Sequence, residues 1–239
     1  MPANGVLPLS TTVHAGAFGG TAPAFRSPLL RFAADEKLIA LVRRGRDDAF
    51  EVLVDRYRAR LIAFCRNMLR SPEDAEDVFQ EVLVNAYRAI RADSRPIAAK
   101  PWLYRIARNR CLNELRRNTA SGVESMDVFE ALGPTAGETV ERREHLSEIV
   151  VDVKRLPEQQ RAALLLREMD GLGYQQIADV LDTTIPSVKS LLVRARMGLA
   201  EAAEARSMSC TDARSQVVSQ DEAARRAGRR HQQYCNACA

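Results

Sequence analysis

GYQQIADVLDTTIPSVKSLLVRARMGL, residues 173–199, decides how this chain is read. Residues 174–181 form a short amphipathic pattern, and the small Ala178 lets a second helix cross closely. Asp182 stands in the turn, where glycine is usual because the backbone tends to be left-handed; aspartate tolerates that conformation better than most residues. Thr183 or Thr184 can cap the next helix, and Pro186 falls in its first turn. That helix is expected to bury Val188, Leu192, Ala195 and Leu199. Ser187, Ser190 and Arg194 then point outward, with Lys189 and Arg196 on the flanks. Small hydroxyls and long cations on an exposed helix are what base edges and phosphates require. The pattern is a helix-turn-helix whose candidate duplex contacts are Thr184, Ser187, Lys189, Ser190, Arg194 and Arg196. A helical hairpin with a merely solvated basic face is the competing reading.

Working outward, the chain reads as helix after helix. Across residues 49–68, Phe50, Leu53, Val54, Tyr57, Leu61, Phe64 and Met68 recur at steps of three and four. Ser71, Pro72, Glu73 and Asp74 then spell a helix start: an N-cap, a first-turn proline, and acids at the positive end of the dipole. The helix they open puts Ala75, Val78, Phe79, Val82, Leu83, Ala86 and Ile90 on one stripe. A break is expected over residues 93–101, which hold two prolines, with a further helix from Trp102 using Leu103, Ile106, Ala107, Cys111 and Leu115 as its apolar side. Residues 119–140 carry three glycines, a proline and mostly acidic charge, and read as a flexible linker. A second unit begins near Val140, where Leu146, Ile149, Val150 and Val153 make a stripe, and restarts at Pro157 as a first-turn proline. No strand pattern survives. The expected fold is all-α: two helical domains on a flexible linker, the second holding the helix-turn-helix, followed by a small C-terminal tail.

Composition limits what such a fold does. No apolar run approaches the roughly 18 residues a membrane-spanning helix needs, so membrane insertion is excluded. Residues 85–118 hold nine basic side chains against Asp93 and Glu114, a charge suited to a polyanion and equally to a solvated basic face. Residues 1–34 lack a secretory pattern, are rich in small residues, and read as a disordered leader. A reducing cytoplasm is the expected compartment, which favours metal ligation over disulfides for clustered cysteines. Cys65 and Cys111 sit at helical spacing among apolar residues and read as core.

Residues 74–90 (DAEDVFQEVLVNAYRAI), 101–117 (PWLYRIARNRCLNELRR) and 156–199 resemble, in order and spacing, the three signature stretches of bacterial sigma factors. The resemblance is to the extracytoplasmic-function (ECF) group of the sigma-70 superfamily and covers about residues 35–205. It implies sigma region 2 over 35–118, the acidic linker over 119–140, and sigma region 4 over 141–205. It further implies core RNA polymerase and promoter DNA as partners, an anti-sigma factor as a regulator, no enzymatic activity, and no cofactor for the sigma domains. The first stretch would dock on the polymerase through Asp77, Gln80, Glu81, Val84 and Arg88, a face that otherwise reads as solvated. The second would recognise and open the minus-ten element. Arg95, Lys100, Arg105, Arg108 and Arg117 would supply charge there, and Asn109 and Asn113 base-edge hydrogen bonds. Trp102 and Tyr104 are candidate stacking surfaces, Trp102 fitting core packing as well. The helix-turn-helix would read the minus-thirty-five element. The family often has Glu where Gln176 stands, Gly where Asp182 stands and Arg where Leu191 stands, so promoter specificity does not transfer.

Residues 206–239 add a tail with Cys210, His231, Cys235 and Cys238 in the pattern Cys-x20-His-x3-Cys-x2-Cys. In a helix, His231 and Cys235 share a face, and one imidazole with three thiolates suits tetrahedral zinc. The spacing is similar to the small zinc-binding domain of zinc-containing anti-sigma factors, which implies one zinc ion and a regulatory tail that senses metal or thiol oxidation or docks on the sigma domains. Residues 211–230 are expected to be helical. Two rival functions stand beside this one. A stand-alone helix-turn-helix regulator responsive to metal or redox state predicts tight duplex binding without polymerase. A zinc enzyme is rejected, because a four-ligand site leaves no open position for water.

Overall fold

The computed structural model describes residues 28–69, 71–120, 140–235 and 237–238. The expected disordered leader up to residue 27, and residues 121–139 of the expected linker, lie outside them. The leader's last part departs from expectation: Pro28–Phe32 forms a 3-10 turn that tucks Leu30 against the core.

The first unit comprises α1 (Asp35–Arg43), α2 (Asp47–Met68), α3 (Pro72–Ala92) and α4 (Ala99–Ala120). Its core is built from the periodic positions: Leu53, Leu61, Phe64 and Met68 of α2 meet Val78, Phe79, Val82 and Ile90 of α3, all buried. Ser71 caps α3 by accepting from the Asp74 backbone N–H at 3.1 Å. Helix α4 begins three residues before Trp102. Pro101 is accommodated inside its first turn because a proline there forfeits only an N–H that has no intrahelical partner. Cys65 and Cys111 are both fully buried, and contact with Cys65 drives the Cys111 thiol pKa well up.

The second unit comprises α5 (Val140–Arg155), α6 (Glu158–Glu168), α7 (Tyr174–Leu181) and α8 (Ile185–Ser207). Pro157 is the N-cap of α6 rather than its first residue. The α5 stripe is buried only at its C-terminal end: Val153 is enclosed, whereas Leu146 and Ile149 remain exposed. Helix α8 runs on to Ser207, so the expected boundary at residue 205 falls inside a continuous helix. The tail is two helices, α9 (Cys210–Val217) and α10 (Glu222–Gln232), not one. Ser209 and Asp221 each cap the helix that follows them, and Asp221 starts α10 afresh where a single helix was expected.

The two units pack on each other. Helix α4 lies on α7, and α2 on α5 and α6, so one connected apolar core runs from Leu30 to Ala195. The tail packs separately, α10 lying on α9 and on α8.

Candidate nucleic-acid interface and metal centre

The helix-turn-helix follows from local chemistry. Asp182 adopts φ 54°, ψ 52°, the left-handed turn expected of it. Gln176 Oε1 accepts the Gly173 backbone N–H at 3.0 Å, so the amide does at the start of α7 what the family's usual glutamate would do. Thr184 caps α8: its Oγ1 accepts from the Ser187 N–H at 3.4 Å and meets Ser187 Oγ at 3.2 Å. Val188, Leu192 and Ala195 are buried, and Leu191 is half-buried. Ser187, Lys189, Ser190, Arg194 and Arg196 are exposed. Arg196 pairs with Glu168 at 2.7 Å, and Lys189 lies 5.8 Å from the centre of the Tyr174 ring.

Helix α4 is divided differently from expectation. Tyr104 and Arg108 are buried. Tyr104 stacks edge-on against Phe64, with centroids 5.4 Å apart, and its hydroxyl faces the Asp170 carboxylate of the second unit. Burial pulls the Arg108 guanidinium pKa down and leaves its Nε without a hydrogen-bond partner. Lys100 donates to the Asp170 backbone carbonyl, and Arg105 lies 3.8 Å from Asp182. Asn109, Asn113, Arg117 and Arg95 are exposed, the last held by Asp93. Trp102 is half-buried and, with Ile97, Ile106, Arg105 and Asn109, lines an open groove of about 720 Å³ at the start of α4, which Asp179 of α7 borders. An apolar floor with cationic and amide edges has the chemistry, and ample room, to receive an unstacked base. On α3, Asp77, Gln80, Glu81, Val84 and Arg88 share an exposed face, with Glu81 3.4 Å from Arg110.

In the tail, the side-chain donor atoms of Cys210, His231, Cys235 and Cys238 all lie within 4.8 Å of one another. Cys210 Sγ and Cys235 Sγ are 3.6 Å apart. Tetrahedral zinc places its ligand atoms roughly 3.3–3.8 Å apart, so little movement separates this cluster from a coordination sphere. The decisive atom is His231 Nε2, which is buried with no hydrogen-bond partner while Nδ1 lies 2.7 Å from the Ala205 carbonyl. The Ala237 backbone N–H, then Cys210, draws the Cys235 thiol pKa down to about 7. Hydrogen bonds with Cys238 and Cys235 push Cys210 up to about 11. The group can hold a metal ion.

Comparison with known proteins identifies the framework. Residues 53–121 match the family described as Sigma-70 region 2, and residues 153–199 match Sigma-70, region 4. The RNA polymerase sigma-H factor of Pseudomonas aeruginosa is 35% identical over 182 residues, covering 70% of this chain and 93% of that protein. The ECF RNA polymerase sigma-E factor of Escherichia coli is 36% identical over 173 residues, covering 68% of this chain and 90% of that protein. The chain belongs to the ECF sigma factors. Solved structures share the fold. CnrH in complex with the cytosolic domain of CnrY gives a TM-score of 0.57 at 24% identity, covering 73% of this chain and 100% of that one. The sigma factor RpoE with the anti-sigma factor NepR from Bartonella quintana gives 0.55 at 24%, covering 64% and 94%.

As a sigma factor the protein is a non-enzymatic subunit that directs RNA polymerase to promoters and starts transcription there. No helix among the described residues is long and apolar enough to cross a membrane. Three features of this sigma factor escape sequence reasoning. Asp170 is buried between the two units with both carboxylate oxygens unpaired, and burial raises its pKa. The Tyr234 ring has Arg155 and Arg206 over it, at 4.3 and 5.5 Å. Arg206 also binds the buried Asp152 at 2.6 Å. All three depend on residues distant in sequence, and no local pattern announces them.

Proposed function

We propose that this sigma factor reads promoters through two separate surfaces and carries a metal-binding regulatory tail. Region 4 contacts the minus-thirty-five duplex through Ser187, Lys189, Ser190, Arg194 and Arg196 on the exposed face of α8; Thr184, committed to capping, orients the helix start. Region 2 captures a minus-ten base in the groove at Trp102, with Arg105 and Asn109 at its edge and Arg95, Asn113 and Arg117 along the strand. The exposed α3 face with Asp77, Gln80, Glu81, Val84 and Arg88 docks on core polymerase. The protein acts in the cytoplasm, and an anti-sigma factor is a further partner, as in the complex of the structurally similar RpoE with the anti-sigma factor NepR.

The observation that carries this reading is the coexistence of an exposed polar α8 face with an apolar-floored, cation-edged groove on α4. Region 4 covers part of α4: Lys100, Tyr104 and Arg108 are engaged by it, and Arg105 faces Asp182. Promoter opening therefore requires the two regions to separate, which exposes Lys100, Tyr104 and Arg108 to the single strand. Cys210, His231, Cys235 and Cys238 hold one zinc ion, a closed structural site with no open position.

Run-off transcription by the full chain with purified core polymerase on a promoter library tests the assignment. Arg194→Ala should lower discrimination between minus-thirty-five variants about tenfold, since one good base contact supplies roughly 1–3 kcal/mol. Asn109→Ala should leave that discrimination intact and slow DNA opening. Absence of transcript from every promoter overturns the reading.

A further inference from the structure

The metal cluster does not stand alone in the tail. Its only imidazole is oriented from outside: His231 Nδ1 lies 2.7 Å from the backbone carbonyl of Ala205, on α8. A carbonyl only accepts, so Nδ1 carries the proton and Nε2 presents its lone pair toward the three sulfur atoms. That is the arrangement by which an outer partner fixes a metal-binding histidine. Here the outer partner belongs to the helix whose other end reads DNA.

Neighbouring contacts tie the same junction together. Arg230, next to the histidine, pairs with Glu201 of α8 at 2.7 Å. Tyr234, next to Cys235, has the guanidinium groups of Arg155 from α5 and Arg206 from α8 over its ring. Arg206 continues inward to the buried Asp152 of α5. Ala202 and Ala205 are buried on this side of α8, where α10 packs. The seat for the tail is thus the edge between α5 and the C-terminal half of α8.

Resting on the reading of the four residues as a metal site, we propose that metal binding and the seating of the tail on the α5–α8 edge are one coupled equilibrium. Metal needs His231 held in the donor tautomer by Ala205, and the docked tail needs the metal to close the loop from Cys210 to Cys238. Metal occupancy therefore stiffens the C-terminal half of the recognition helix, and loosening the seat weakens the metal. Coupling of this kind is reciprocal, so it is measurable from either end.

The test uses the full chain, reduced, with Zn(II) as the probe in competition with a chromophoric chelator. The parent should bind one zinc per chain. Glu201→Ala combined with Tyr234→Ala leaves all four ligands in place, and it should bind about tenfold or more weakly, the scale on which outer-sphere partners act. Hydrogen exchange in the parent supplies a second readout independent of any variant: the amides of residues 202–207 should gain protection when zinc is added. Zinc binding in the parent that is unchanged in the double variant, with no gain of protection on α8, overturns the coupling and leaves the metal site standing. Absence of zinc binding in the parent overturns the metal reading itself, and the coupling with it.

Discussion

Asp182 shows what one residue contributes and what it costs. Its left-handed backbone makes the corner between α7 and α8, and its side chain reaches toward Arg105 at 3.8 Å, with both groups well exposed. An exposed pair at that distance contributes little, whereas a side chain in the left-handed region is strained even for aspartate. Asp182→Gly should therefore stabilise the protein by about 0.5 kcal/mol, the relief of strain outweighing the lost pair and the added chain entropy. Denaturant unfolding measures this, and a lower midpoint for the variant would sink the argument. Residue-level chemistry of this sort is legible in sequence because the turn depends on its own dihedral preferences. Arg108 is the opposite case. Its position among cations made it a candidate DNA contact, but a guanidinium in the middle of a basic run carries no mark of whether another domain covers it.

At the scale of elements, the tail depends on close approach. Gly228 of α10 faces α9 so tightly that an added Cβ would stand 2.7 Å from the Ala213 carbonyl oxygen and 2.9 Å from the Val217 side chain. The backbone cannot give way cheaply there. Gly228→Ala should push α10 off α9 at a cost of roughly 1–3 kcal/mol. Limited trypsin digestion should then cut α10 at Arg225, Arg226, Arg229 and Arg230 faster than in the parent; equal cleavage rates would refute the packing argument. The buried side of α2, α3 and α8 was readable from apolar spacing, since 3.6-residue periodicity is a property of each segment by itself. Where expectation failed, the cause was a cap or a neighbour. Asp221 started a new helix inside a stretch that looked continuous, and the Leu146 and Ile149 end of the α5 stripe stayed partly open to solvent.

Across the whole molecule, closure of region 4 on region 2 turns on Asp170. Its carboxylate is buried beside the Tyr104 hydroxyl, and Tyr104, then Lys100 and Arg60, offset part of the cost of its charge. Burial raises its pKa, so the closed arrangement binds this proton more tightly than the separated one does. Closure is consequently strongest at low pH and weakens as pH climbs through the raised value. Asp170→Asn removes the buried charge at nearly constant shape. At neutral pH the variant should close more tightly, on the order of 1 kcal/mol, and its closure should lose this pH dependence. Energy transfer between one dye on each region reports the separation; opening of the parent on acidification would show the sign to be wrong.

What the sequence determined alone were the properties carried by neighbours in the chain: the apolar periodicity of the helices in both sigma units, the corner at Asp182, the outward face of α8, and a ligand spacing that suits a metal. Periodicity tells which side of a helix is apolar, but not which apolar side it meets. Only the tertiary structure decided that α4 lies on α7, sealing Tyr104 and Arg108 away. It alone decided that His231 takes its orientation from Ala205, and that Tyr234 lies under Arg155 and Arg206. Those pairings join residues dozens of positions apart, where packing and loop closure rather than local preference select the contact.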